Sequence, residues 1–245
     1  MMNRSLSEPV FASMSLQATD WQRAIRRGIY TIPEAARLVG ASQPKLRSWI
    51  EGNKGTLVAP IIQRQLPRVG GHTVLGFLDL IESKFVQHFT KWFSPQTIRK
   101  VSIKLRERHD VDHPFAMDKR FRTDGRVIFM EAAETEEELR VLNLMNDNFE
   151  MKQIIQQSLF DSIFYVNDIA RHWIPNPQTN RVLIDPTICF GHPFIKDLMI
   201  PTRRLYDAYL VEGGVEEAAE EFEVDAGAIV QAVRFERALD ERIAH

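Results

Sequence analysis

Between Thr31 and Gly52 the chain is punctuated twice in the same way: a hydroxyl residue, a proline two positions on, a short amphipathic run, then a glycine. A hydroxyl oxygen can accept from the orphan N–H groups of a helix's first turn, and proline is tolerated there because the N–H it lacks has no partner to lose. Glycine stops the run because it enters the left-handed region without a Cβ clash. The pattern predicts one short helix from Pro33 to Val39, with Thr31 as cap, and a second capped by Ser42, joined by a turn too short to separate them. Ala35, Ala36, Leu38 and Val39 share one face of the first; Leu46, Trp49 and Ile50 share one side of the second. The segment Thr56 to Leu66 is β-prone, and the turn at Gly70 and Gly71 leads to a second short run from His72 to Leu75. A helix pair followed by a strand pair is the outline of a winged helix-turn-helix.

Helical spacing continues from Phe77 to Trp92, and Ser94 is placed to cap a helix opening at Pro95, with Ile98, Val101 and Leu105 inward and Arg99, Lys100, Lys104, Arg106 and Arg108 outward. Beyond Val111 the grammar changes. Asp124-Gly125 between β-prone flanks predicts a hairpin over Phe121 to Met130, an acidic helix follows from Glu134 to Met145, and Phe149 to Ile184 reads as short strands broken at Pro175-Asn176-Pro177. Helices return over Pro201 to Val211, Val215 to Phe222 and Asp225 to Leu239, the last capped by Asp225. The expected fold is α+β and mainly helical. Its parts are a tail over 1–20, a DNA-binding domain over 21–110, a connecting α/β section over 111–180 with central β-hairpins and short strands, and a three-helix, helix-turn-helix-like domain over 181–245.

Charge divides the chain along the same line. Residues up to Asp110 hold 17 Lys and Arg against 8 Asp and Glu, and the remainder holds 14 against 25, so a net charge of −2 conceals balances of +9 and −11. A basic half can accumulate phosphate contacts that an acidic half would repel. On this reading a fragment from Val111 onward stays folded and leaves duplex DNA alone. No apolar stretch is long enough to span a bilayer, no signal sequence opens the chain, and a lone Cys189 cannot form an internal disulfide; the expected location is the cytoplasm.

On the exposed side of the second helix, Gln43, Lys45, Arg47 and Ser48 present groups that can reach base edges, Gln and Arg by paired hydrogen bonds. Lys54, Arg64 and Arg68 would lie on or near the wing and reach phosphates. The run from Tyr30 to Gly40, continuing from Ser42 to Ile50, resembles the opening helix-turn-helix of MerR-type regulators. That resemblance makes Thr31, Arg37, Ser42, Gln43, Lys45, Arg47, Lys54, Arg64 and Arg68 the candidate DNA contacts.

The sequence from Val182 to Ile195, with Asp185-Pro186, Gly191, Pro193 and the downstream Ile200-Pro201, resembles a widespread prokaryotic domain of unknown function found in antitoxins, the family numbered four hundred and thirty-three. It departs from that family just before Ile200, where Asp197, Leu198 and Met199 stand in place of a Gly-Thr-Arg run. A MerR-like N-terminus joined to such a domain is similar to the large VapB-type antitoxins of the mycobacterial VapB forty-five kind. The resemblance extends through Leu75 to Glu82, His113 to Ala116 and Thr123 to Gly125, and it implies operator binding with autorepression, and neutralisation of a PIN-domain ribonuclease toxin. A palindromic operator implies a homodimer, and the apolar faces around Phe85, Phe89, Trp92 and Phe93 either supply its surface or are buried within the protomer, two alternatives of equal weight. Cations are few in the acidic half, which makes Arg203, Arg204, Arg234 and Arg237 the candidate toxin contacts, against pairing with Glu220, Glu221, Glu236 or Asp240. The competing reading is a regulator whose C-terminal half senses a small effector. His109 and His113 with Asp110 and Asp112 have weak metal-site character, Cys189 and His192 weak catalytic character, and neither a cofactor nor an enzymatic reaction is expected.

Overall fold

The computed structural model describes residues 26–52, 55, 58–117, 128–129, 131–133, 135–140 and 162–241. Strand β1 (Tyr30–Thr31) runs into helix α1 (Ile32–Val39). Thr31 caps α1 as its sequence predicts, its hydroxyl accepting from Glu34 N while the Glu34 carboxylate accepts from Thr31 N at 2.8 Å. Gly40, at φ 70°, closes the helix and opens a three-residue connection to α2 (Gln43–Glu51). Ser42 stands at the cap position of α2, but its side chain makes no cap hydrogen bond. Gly52 is needed where it is: its φ is +71°, and a Cβ there would lie 2.2 Å from the Val58 carbonyl oxygen.

The strand pair differs from the sequence expectation. Val69 and His72 bridge across Gly70 and Gly71, but β2 (Val74–Leu75) pairs antiparallel with β1, not with the 58–68 segment. Where the sequence suggests a wing there is one tight turn, and the described residues between 58 and 68 contain no named strand. Backbone donors explain the difference, because Ile61 N and Ile62 N both bond Trp49 O at the end of α2 and so tie the segment to the helix rather than to a ladder.

Helix α3 (Phe77–Phe89) and helix α4 (Pro95–His109) follow, the latter capped by Ser94, whose hydroxyl accepts from Thr97 N at 3.1 Å. Phe85, Phe89 and Phe93 are buried within the protomer, with the Phe89 ring 4.9 Å from Phe129 and 6.3 Å from Phe115. Those three rings therefore fill the core of the protomer, the second of the two alternatives left open for them; Trp92 is half-buried against the same core.

The turn of the expected Phe121 to Met130 hairpin lies outside the described residues, while Ile128 and Phe129 on its second flank are helical; Lys54, the 1–20 tail and half of the acidic helix expected over Glu134 to Met145 also lie outside them. A hairpin does occur further on, where β3 (Ile163–Val166) pairs with β4 (Ile169–Trp173). Its two turn residues, Asn167 and Asp168, both have positive φ, the combination that matches the right-handed twist of adjoining strands. Strands β5 (Val182–Leu183), β6 (Phe194–Ile195) and β7 (Ile200–Pro201) form a three-stranded antiparallel sheet in sequence order. Helices α5 (Thr202–Glu212), α6 (Val215–Glu221) and α7 (Ala226–Glu241) complete the chain, with Asp225 capping α7 through a 3.0 Å bond from Ala228 N. The fold is mixed α and β, helices dominating and strands confined to small antiparallel sheets.

One apolar core runs through both charge halves. Tyr30, Ala35 and Leu38 belong to the same buried cluster as Ile195, Leu205, Ile229 and Phe235. Polar contacts cross the same boundary, since Tyr30 Oη donates to Gly191 O at 2.8 Å and Ile29 N to Phe190 O at 3.1 Å.

Candidate nucleic-acid interface

Helix α2 buries Leu46, Trp49 and Ile50 and leaves Gln43, Lys45, Arg47 and Ser48 exposed on its other side. Ser48 Oγ donates to Lys45 O at 2.7 Å, which commits that hydroxyl to its own helix. Gln43, Lys45 and Arg47 border an open cleft that also includes Pro33, Gly40 and Gln87. Gln87 Nε2 donates to Gly40 O at 2.8 Å, so α3 holds the turn between the two short helices from beneath.

At the far end of α2, Glu51 gathers the cations around it. Its Oε1 lies 3.1 Å from Arg68 Nη2 and 3.8 Å from Arg47 Nη1, and it also accepts from the Thr73 hydroxyl. Arg68 is thereby held beside the exposed face of α2, one residue before the Val69 to His72 turn. Arg64, expected near the wing, is half-buried and donates to Leu66 O at 3.3 Å. Sequence reasoning missed Glu51, although its i,i+4 spacing from Arg47 was a usable signal.

Arg37, also expected on DNA, has a different set of partners. Its Nη1 lies 2.9 Å from Glu236 Oε2 and its Nη2 2.6 Å from Asp240 Oδ1, both on α7, and burial of the guanidinium is outweighed by these carboxylates, which raise its pKa. Thr31 is likewise engaged in its own capping box, and Ser42 is exposed at the start of α2.

The segment that carries Arg64 and Arg68 rests on a buried acid–imidazole group. Asp79 is fully buried and accepts from Gly76 N at 2.8 Å and from Gln65 N at 3.1 Å, which fixes the approach to the turn. Burial pushes its pKa up to about 6 against the lowering effect of His113. His113 Nδ1 lies 3.2 Å from Glu82 Oε2 and 3.7 Å from Asp79 Oδ1; burial lowers its pKa, but the Glu82 hydrogen bond and both carboxylates override that and raise it. His113 thus turns inward to acids of α3. Among the described residues no group of three or more His, Cys, Asp or Glu is arranged to hold a metal ion.

In the C-terminal helices the four candidate arginines are all exposed. Arg203 lies over the Tyr206 ring at 5.5 Å and within 2.9 Å of Asp207; Tyr206 stacks on Tyr209 at 6.4 Å; Arg237 lies over Tyr209 at 5.4 Å and donates to its hydroxyl. This cation–aromatic row joins α5 to α7, while Arg204 and Arg234 lie outside it. Glu236 and Asp240, weighed as partners of these arginines, bond to Arg37 instead. Cys189, half-buried, donates its thiol to Met199 O at 3.2 Å, and burial raises its pKa. Among the described residues no helix is long and apolar enough to cross a membrane.

Residues 182–235 match the family described as Protein of unknown function (DUF433). The match begins at β5 and ends within α7, so it contains the three-stranded sheet, α5, α6 and Arg203, Arg204 and Arg234. A solved structure, the crystal structure of Rv2018 from Mycobacterium tuberculosis, superposes with a TM-score of 0.65 at 20% identity, covering 83% of this chain and 96% of that one. At that identity the likeness is one of fold. No curated protein matches the chain.

Proposed function

We propose that this chain binds operator DNA through the outer face of α2 and acts as the autorepressing antitoxin of a type II pair, neutralising a PIN-domain ribonuclease. The observation that carries the DNA reading is a short helix with one side buried and Gln43, Lys45 and Arg47 exposed on the other, with Arg68 held beside it by Glu51. Its first-helix capping, three-residue turn and exposed polar face agree with the MerR-like pattern in the sequence. Two half-sites call for two recognition helices, so the binding species is a symmetric homodimer. The antitoxin part rests on the DUF433 match, a family often found in antitoxins, and on the exposed cation–aromatic row of α5 and α7. Tyr and Arg are the residues that most often anchor protein interfaces. The role is one of binding, without a catalytic step or a cofactor.

Fluorescence titration of the duplex upstream of the chain's own gene tests the DNA reading. Replacing Lys45 and Arg47 by Ala lowers affinity and flattens the dependence of log K on log salt, by about one unit of slope for each phosphate no longer neutralised. A slope identical to that of the unaltered protein rejects α2 as the interface. Co-purification with the product of the neighbouring gene tests the antitoxin part; a regulator answering to a small effector would bind the same duplex and bring down no toxin.

A further inference from the structure

We infer that Arg37 is a positioning residue for DNA recognition, which locks the orientation of α1 and α2 to helix α7 and makes the C-terminal helices part of the DNA-reading scaffold. This rests on the operator reading and adds a means by which the far end of the chain acts on it.

The geometry is that of a clamp closed at both ends of α1. Before the helix starts, Ile29 N bonds Phe190 O and Tyr30 Oη bonds Gly191 O, in a contact so close that a Cβ on Gly191 would lie 2.5 Å from the Tyr30 hydroxyl and 2.9 Å from Gly28 Cα. In its last turn, Arg37 makes four bonds to α7: Nη1 to Glu236 Oε2, Nη2 to Glu236 O, and both Nε and Nη2 to Asp240 Oδ1. A planar guanidinium held by several acceptors fixes direction as well as distance, which a lysine ammonium would not.

Glu236 carries the clamp deeper. It is 2% exposed, and its second oxygen accepts from Thr202 Oγ1, the first residue of α5, whose hydroxyl also reaches Pro193 O. One carboxylate therefore connects α1, α5 and α7. Helix α2 follows α1 after three residues, and Gln87 fixes that connection from α3, so the recognition face has little freedom of its own. Arg234 and Arg237 lie on the same helix as Glu236 and Asp240 and face solvent. A partner that engages that face pulls on the helix to which α1 is fastened, and no movement of the 118–161 section is needed to reach the DNA side.

A phosphate contact and a positioning contact have opposite signatures. Full-length Arg37→Met is titrated against the duplex upstream of its gene across a range of salt, beside Glu236→Gln and the double variant R37M/E236Q, with hydrogen exchange of α1 and α7 measured without DNA. Asp240→Asn, which removes the negative charge and one of the two carboxylate oxygens without uncovering a buried charge, is the gentler variant should R37M not fold. Expected are a loss of affinity of tenfold or more in R37M, a salt slope unchanged from wild type, faster exchange in α1 and α7, and recovery of most of the affinity in R37M/E236Q, where neither charge is left buried alone. A slope flattened by about one unit places Arg37 on a phosphate and overturns the inference, as do unchanged affinity and exchange in both R37M and D240N. Wild-type protein that binds no duplex overturns the operator reading, and with it the DNA role of the clamp; exchange then tests the mechanical link alone, and unchanged α7 protection in R37M removes that too.

Discussion

His113 follows the basic helix α4 and turns back beneath α3, where Glu82 and Asp79 raise its pKa against the effect of burial. A histidine whose folded pKa exceeds its ordinary value of about 6.5 contributes stability that is fully present below that value and is lost as pH rises through the folded one. Asp79, raised to about 6, has the same sign in a lower window, between its ordinary range near pH 4 and pH 6; Lys84, lowered to about 7 by burial, has the opposite sign above that. His113 is therefore best isolated by difference. In urea denaturation, His113→Gln is expected to be less stable than wild type by about 1–2 kcal/mol near pH 6, with the gap closing toward pH 9; a gap that widens with pH contradicts the assignment. Gly191 offers a second test, because its φ of +87° and its contact with Tyr30 and Gly28 both exclude a side chain. Gly191→Ala is expected to cost roughly 2 kcal/mol or more, read from the same denaturation curves. Single residues were legible where their partner was near in sequence, as with the caps at Thr31, Ser94 and Asp225. Arg37 was not, because its acceptors lie 199 and 203 residues away.

Helix α4 shows how an element can be read correctly and its chemistry misjudged. Its inward residues Ile98, Val101 and Leu105 are buried as their spacing requires. Its cations, counted among the basic residues of a DNA-binding half, are turned largely to scaffold: Arg99 Nε donates to Ala59 O at 2.7 Å, Arg106 to Ile61 O and Asp112 O, and Lys104 and Arg108 face Glu131. Ala59 and Ile61 belong to the segment that Trp49 O anchors at the end of α2, so α4 braces α2 from behind. Net charge reports how many cations a segment has and not which of them already have acceptors. The segment expected to form a wing departs from its sequence pattern for a related reason: β-prone residues from Thr56 onward satisfy the strand pattern, but the carbonyl that receives Ile61 N and Ile62 N belongs to α2. The aromatic side of α3 provides the test at this scale. Phe89 is buried among Phe85, Phe93, Phe115 and Phe129, with centroids 4.9 to 6.4 Å away, and Phe89→Ala is expected to cost about 3–5 kcal/mol through the cavity it leaves. If Phe89 instead faced a partner, the substitution would change oligomeric state in sedimentation and leave monomer stability nearly unchanged.

At the scale of the molecule, the charge boundary near residue 110 is real in the sequence but is not a boundary in the packing, since the apolar core and the Arg37–Glu236–Thr202 network both cross it. Opposite net charges suggest two independent bodies, whereas in the fold they meet at α1 and α7 and attract. A fragment starting at residue 111 therefore keeps α5, α6 and α7 but loses the cation that accompanies the Glu236 carboxylate. Its only tryptophan is Trp173, which reports the unfolding of that part alone. Removing one partner of a buried ion pair leaves a charge that must be rehydrated or protonated, while removing both is close to neutral. Glu236→Gln should consequently have opposite effects in the two settings: it destabilises the full chain, where Arg37 loses its acceptor, by about 1–3 kcal/mol, and it stabilises the fragment, where the carboxylate had no cation. Urea midpoints of the four proteins at pH 7 decide the matter. A substitution that shifts both backgrounds in the same direction and by the same amount would mean that Glu236 does not couple to the N-terminal half, and the chain would then be two bodies after all.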